Sequence, residues 1–396
     1  MDEKKTKIVY LLPGGLFGSA GMERVTTSKA NYLADLPDYE VSIVTTEQMG
    51  RPVFYPLSEK VRLYHLDIGI HENFGKETYI QKCVSRYQKT KEYEIELNKL
   101  LNKIRPDITV STLGLDIGFL NNFTDGSIKI GELHFPGNFR QLMARKLSSN
   151  PIPNLVARAR TWEMKQKCKE LSRLIVLTQE EKTFWKNQKN IKAIPNALPF
   201  SPEAISSVKN KKVIAVGRLA YEKGFDLLIE AWQAVYAKHP DWELVIYGTG
   251  NQKDFLIQLI HKYQLETVVK IHEPVPEIET EYPEYSLLAF PSRYLDSFGM
   301  VMLEGMACGL PAVAFNSPCG PKDLITDGVN GFLVETGDIV NLSAKINQLI
   351  ESDDLRERMS AAARETSLNY QIDKVMKQWL SLFKELKDEN NRFIGS

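Results

Sequence analysis

Between Pro291 and Pro311 the sequence runs PSRYLDSFGMVMLEGMACGLP and sets two carboxylates, Asp296 and Glu304, on either side of a helix start. Ser297 is a good N-cap, so the amides of Phe298, Gly299 and Met300 would stand among the unpaired donors of a first turn, and Gly309 with Pro311 marks the stop. Such a turn is a ready site for an anion such as a phosphate. Glu304 is flanked by Val301, Met302, Leu303, Met306 and Ala307, which would draw it inward. Even a neutral polar group buried without a partner costs on the order of 2 to 7 kcal/mol, so hydroxyls or a cation must meet this carboxylate. Taken alone it reads as a structural ion pair or cap; a binding role rests on the flanking pattern.

Other residues able to do chemistry sit at the ends of apolar runs. Gly217 and Arg218 follow Val213 to Val216, and Lys223 precedes a helix expected from Asp226, so two cations share one strand end. Arginine grips two oxygens at once and lysine supplies a point charge, although a lone cation is ordinarily a solvated one. The run Ile128 to His134 (IKIGELH) ends on Glu132 and His134. A single histidine in such a place is ordinarily a satisfied loop or core residue. Pro13 to Gly21 (PGGLFGSAG) is glycine-rich and leads into a helix at Met22, Glu23 and Arg24, but fits neither a dinucleotide fingerprint nor a Walker loop. Gly248, Thr249 and Gly250 follow WELVIY, and Lys253 occupies the place of the third glycine of a dinucleotide fingerprint, which disfavours a nicotinamide or flavin.

Asp296 and Glu304, with seven residues between them that include Phe298 and Gly299, resemble the paired-acid signature of retaining glycosyltransferase family 4, of the GT-B fold. The first position of that signature is normally Glu, and here it is the shorter Asp296. The resemblance implies two doubly wound Rossmann-like domains facing a cleft. It implies that Asp296 and the amides of Phe298, Gly299 and Met300 hold the sugar and diphosphate of a nucleotide sugar, and that Glu304 binds the ribose. Gly217, Arg218 and Lys223 then form a diphosphate clamp, Gly248 lies near the nucleotide, Gly14 and Gly15 face the donor, and His134 contacts its sugar. It further implies a uridine diphosphate sugar, retention at the anomeric carbon, no enzymic nucleophile, no metal and no cofactor. The acceptor would be a glycan or a lipid-linked glycan of cell-surface polysaccharide.

The elements that must position these residues alternate in type. Strand signals fall at Lys7–Leu12, Glu40–Thr46, Val61–Leu66, Asp107–Thr112, Ile128–His134 and Leu174–Thr178, with helices between them, one running from about Lys76 to Ile104. A second series has strands at Val213–Val216, Trp242–Tyr247, Ser286–Phe290, Ala312–Phe315 and Phe332–Val334. Such alternation predicts doubly wound parallel sheets, which place ligands at the carboxyl ends of their strands. The segment Pro199 to Lys212 lacks periodicity and reads as a linker. The expected organisation is an acceptor-side domain over residues 1–198, a donor-binding domain over 199–370, and a last helix over 371–396 that returns to the first domain, with a loose tail from Lys387.

Composition narrows the field. Apolar residues make up 43% and charged residues 25% of the 396, ordinary globular values. Lys plus Arg equals Asp plus Glu at 50 each, which argues against wholesale nucleic-acid binding. Cys83, Cys168, Cys308 and Cys319 show no CxxC pair, consistent with a reducing cytoplasm, and no run approaches the ~20 apolar residues of a membrane span. Phe139 to Lys167 interleaves Arg140, Arg145, Lys146, Arg158, Arg160, Lys165 and Lys167 with apolar residues. It reads as a solvated helix face or as a surface for anionic lipid at the inner face of the cell membrane. The rival functions are a nucleotide-sugar isomerase or hydrolase, which would need further acids or histidines, and a non-catalytic sugar-nucleotide binding module.

Overall fold

The computed structural model describes residues 5–70, 79–147, 151–294 and 296–394. The chain forms two units. One takes the chain up to Leu177, Glu181–Ile194 and the chain from Val375; the other takes Thr178–Glu180 and Pro195–Lys374. The boundaries thus fall at 194/195 and 374/375, against the expected 198/199 and 370/371.

In the first unit short segments, long enough for strands and too short for stable helices, form β1 (Thr6–Leu12), β2 (Tyr39–Thr45), β3 (Arg62–His65), β4 (Ile108–Ser111), β5 (Ile128–Leu133), β6 (Arg173–Val176) and β7 (Ile191–Ala193). All pair in parallel, in the order β3-β2-β1-β4-β5-β6-β7. Their connections carry α1 (Gly21–Asp35), α2 (Tyr79–Ile104), α3 (Phe139–Leu147), α4 (Pro151–Lys169) and α5 (Gln179–Phe184). Residues 76–78, part of the expected long helix, lie outside the described residues.

The second unit repeats the plan with β8 (Lys212–Val216), α6 (Phe225–Lys238), β9 (Glu243–Tyr247), α7 (Lys253–Lys262), β10 (Val269–His272), β11 (Leu287–Phe290), α8 (Met300–Ala307), β12 (Ala312–Phe315), α9 (Pro321–Leu324), β13 (Gly331–Val334), α10 (Ile339–Ile350) and α11 (Asp353–Ser367). Its parallel strands run β10-β9-β8-β11-β12-β13. The apolar spacing of α6 does what it predicts: Leu228, Trp232 and Val235 are buried in the core with Leu244, Ile246 and Phe315. In each sheet the strand order reverses beside the first strand, between β1 and β4 and between β8 and β11. Loops leaving the carboxyl ends of the strands diverge at such a switch point and open a crevice there.

Three local expectations need correction. β10 escaped notice because VKIH is an edge strand, paired only with β9 and half exposed, so it lacks an apolar run. The helix at the paired acids starts two residues later than expected: its N-cap is Gly299, at φ 82°, not Ser297, and Phe298 and Gly299 precede the first turn. The tail from Lys387 is not loose. A final helix, α12, runs Ile372–Ile394, and Lys387 Nζ donates to Thr6 Oγ1 at 2.7 Å. Its buried stripe is Val375, Met376, Trp379, Leu382, Phe383 and Leu386, which holds it on the first unit.

Candidate functional site

At the β8/β11 switch point two loops are locked together. The loop after β8 turns through Tyr221–Lys223 into Gly224, whose φ of 68° favours glycine, and a Cβ there would stand 2.0 Å from the Pro291 carbonyl oxygen. That close approach lets the loop leaving β11 lie against it. Arg293 then grips Asp226 with two bonds of 2.7 Å, donates to the Tyr221 carbonyl at 2.7 Å, and gives its own amide to the Glu222 carbonyl at 2.8 Å. A bidentate pair of this kind fixes orientation as well as distance.

The result is a juxtaposition of the two charges that matter. Lys223 Nζ donates to Asp296 Oδ1 at 2.6 Å, with side chains 21% and 13% exposed, and the Ser292 hydroxyl donates to the other carboxylate oxygen. Arg218 lies on the same loop but points outward, 67% exposed, and pairs with Glu222 at 2.6 Å. The turns after β8 and β9 are knitted as well: Gly217 donates to Tyr247 at 3.0 Å and Leu219 to Thr249 at 2.8 Å. A Cβ on Gly248 would stand 2.0 Å from the Gly217 carbonyl oxygen, so only glycine fits there.

The segment that carries the acids is held from below. Phe298 is buried, and its ring meets Tyr370 edge-on at 5.6 Å. Gly320, at φ 99°, passes so close to the Phe298 carbonyl that a Cβ would stand 2.7 Å from it. Met300 opens α8 at the carboxyl edge of the sheet, and Glu304 lies on its next turn, 4% exposed. One partner for this buried carboxylate is Tyr282, whose hydroxyl donates to Glu304 Oε2 at 3.2 Å. Sequence reasoning missed Ser292, Arg293 and Tyr282. A charged residue three places past a buried strand, as Arg293 is, was a signal for the second of these.

The first unit has its own constellation at the β1/β4 switch point. The Gly14 carbonyl accepts from the amides of Thr46 and Glu47 at 3.0 and 3.1 Å, and a Cβ on Gly15 would collide with the Phe17 ring at 2.4 Å. Nothing comes within 4 Å of a Cβ placed on Gly14. Pro13, Gly14, Gly15, Phe17, Glu23 and Arg51 line an open cavity of about 600 Å³. Burial pushes the Glu23 carboxyl up, and the charge of His134 opposes that. His134 sits just past β5, its Nε2 3.3 Å from Glu132 Oε1. Thus Gly14, Gly15 and His134 belong to one unit, and Gly217, Arg218, Lys223, Gly248, Asp296, Phe298, Gly299, Met300 and Glu304 to the other.

Residues 200–366, which hold that second set, match the sequence model of the glycosyl transferases group 1. The comparisons support a group 1 glycosyltransferase. An uncharacterized glycosyltransferase of Haemophilus influenzae is 29% identical over 367 residues, 91% of this chain and 96% of its own. The amylovoran biosynthesis glycosyltransferase AmsD of Erwinia amylovora is 28% identical over 382 residues, 94% of this chain and 98% of its own. S. aureus TarM, crystallised with Fondaparinux, alpha-GlcNAc-glycerol and UDP, matches with a TM-score of 0.77 over 96% of this chain and 99% of that one, at 17% identity. At that identity the likeness concerns the fold, which is the GT-B arrangement of two parallel-sheet α/β domains.

Proposed function

We propose that this group 1 glycosyltransferase is a retaining enzyme of glycosyltransferase family 4 that moves a hexose or N-acetylhexosamine from a uridine diphosphate sugar to a glycan or lipid-linked acceptor in cell-surface polysaccharide synthesis. The observation that carries the reading is the Lys223–Asp296 pair at the switch point, beside the start of α8 and the buried Glu304. Lys223, with the more exposed Arg218, offsets charge on the leaving diphosphate, as do the first amides of α8. Asp296 meets the sugar, and Glu304, aligned by Tyr282, binds the ribose. His134 contacts the sugar, and Gly14 and Gly15 face the donor.

In the transfer the bond from the anomeric carbon to the phosphate oxygen breaks, and the acceptor oxygen forms its bond on the same face. The acceptor's proton passes to the departing phosphate oxygen, so no enzymic nucleophile and no metal are needed. The polysaccharide role is supported by the likeness to AmsD, and the uridine nucleotide by the fold shared with TarM, whose crystal holds UDP. A screen of uridine, guanosine and adenosine diphosphate sugars by calorimetry and nucleotide release tests the reading. Binding and turnover of a uridine donor, an α product from an α donor by NMR, and full activity in EDTA are expected. Preference for another base, an inverted product or loss of activity in EDTA would each overturn the corresponding part.

Contact with an anionic membrane surface is part of the proposal. One face of α4 is buried through Ala157, Thr161, Met164 and Cys168, while Ile152, Leu155, Val156 and Trp162 are exposed beside Arg158 and Arg160. Among the described residues no helix is long and apolar enough to cross a membrane. The position proposed for this face is peripheral, on the cytoplasmic leaflet, each basic side chain contributing about 1 kcal/mol near such a surface. The side chains of Arg145 and Lys146 lie outside the described residues. Sedimentation with vesicles should show partition onto anionic and not neutral lipid; equal partition, or none, would sink the idea.

A further inference from the structure

We infer that the buried ion pair between Lys29 of α1 and Glu132 of β5 is a positioning device that sets the ring of His134, with Trp379 of the last helix closing it from behind. The inference rests on the reading of His134 as a sugar contact. Residues i and i+2 of a strand share a face, so Glu132 and His134 project to the same side at the carboxyl end of β5. Lys29 Nζ donates to both oxygens of Glu132, and both side chains are 2% exposed. The ammonium also lies 4.6 Å from the Trp379 ring and 5.4 Å from the Tyr10 ring, so aromatic faces cover it where no carboxylate does. His134 Nε2 stands 3.3 Å from Glu132 Oε1.

An ion pair placed this deep is a poor way to gain stability. Taking both charges out of water costs about as much as their attraction returns, and apolar residues of similar volume commonly do as well or better. What the pair supplies is a carboxylate whose place and ionisation are both fixed. Burial alone would push the Glu132 carboxyl up, but Lys29 and His134 together hold it down at about 2. A fixed carboxylate 3.3 Å from Nε2 gives that side of the imidazole a set charge to face, as the outer partner of a functional histidine does elsewhere. Glu23, in the first turn of α1, is a further titratable group that feels the charge of His134.

The test replaces the pair without leaving a buried charge alone. Lys29→Met with Glu132→Leu removes both charges and the acceptor; Lys29→Met with Glu132→Gln removes the charges and keeps an acceptor. The chain has six histidines, so ring 15N–1H spectra are tractable, and His134→Gln assigns the signal. In the unmodified protein His134 should show one Nε2–H protected from exchange. The Met/Leu variant should keep its melting temperature and its affinity for UDP, lose that protected signal, and turn over the donor selected by the screen about 10- to 100-fold more slowly. The Met/Gln variant should recover the signal. A rapidly exchanging ring in the unmodified protein, or a protected one in Met/Leu, overturns the positioning itself. Full turnover in His134→Gln overturns the sugar-contact reading instead and, with it, the purpose assigned to the pair.

Discussion

Two carboxylates eight positions apart have different surroundings, and their substitutions should separate accordingly. Glu304→Gln removes a charged hydrogen bond to the ribose and should weaken UDP by roughly 1.5 to 3 kcal/mol in calorimetry. Asp296→Asn should leave UDP binding nearly unchanged and lower turnover, because a contact to the sugar matters most as the glycosidic bond loosens. Equal losses of UDP affinity would refute that division. Glycines separate in the same way. Gly248→Ala forces a Cβ onto the Gly217 carbonyl and should cost about 1 to 3 kcal/mol of stability in denaturant titration. Gly14→Ala meets open space, so an unchanged melting temperature with lost activity would report a ligand approaching that backbone. The glycine pairs were legible as turns, but which of them is filled by protein and which faces a cavity was not, since the neighbours come from other strands.

Among the elements, α8 and α12 show how far chain-local signals reach. The stop of α8 was readable because Gly309, at φ 86°, takes the left-handed position that ends a helix, with Leu310 donating to the Gly305 carbonyl at 2.9 Å. Its start was not, because the cap is Gly299 at φ 82°, where a Cβ would stand 2.4 Å from the Met302 side chain, and not the capping serine two places earlier. In α12 the apolar stripe was readable as core while its extent was not. Phe383 is buried and tilts against Trp379 at 5.6 Å. Phe383→Ala should therefore cost about 3 to 5 kcal/mol, measured by denaturant unfolding, as full truncation of a buried ring does.

For the molecule as a whole, the placement of Arg218, Lys223 and Glu304 in one unit predicts where UDP acts. Hydrogen exchange of the full chain with saturating UDP should show protection in peptides covering 217–224, 248–250 and 296–304, and little over 13–24. The reverse pattern would exchange the roles of the two units. Acid stability should carry the mark of Glu132. Its carboxyl is held at about 2 in the fold against an ordinary 4.5, so its contribution is complete above about 4.5 and is lost as the pH falls towards 2. The unfolding free energy of the Lys29→Met, Glu132→Gln variant should fall less steeply across that window than that of the unmodified protein.

Periodicity and punctuation along the chain were enough for two series of alternating strands and helices, for parallel sheets, and for the acids and cations at strand ends. Those features depend on residues close in sequence, and each strand end in a parallel sheet opens to the same edge whatever the neighbours are. The pairings across sequence needed the tertiary structure: Lys223 with Asp296, Arg293 with Asp226, Tyr282 with Glu304 and Lys29 with Glu132. They join residues from 22 to 103 positions apart. Which buried charge meets which partner is set by strand order, because the reversal at β8 and β11 alone brings the loops after these two strands side by side.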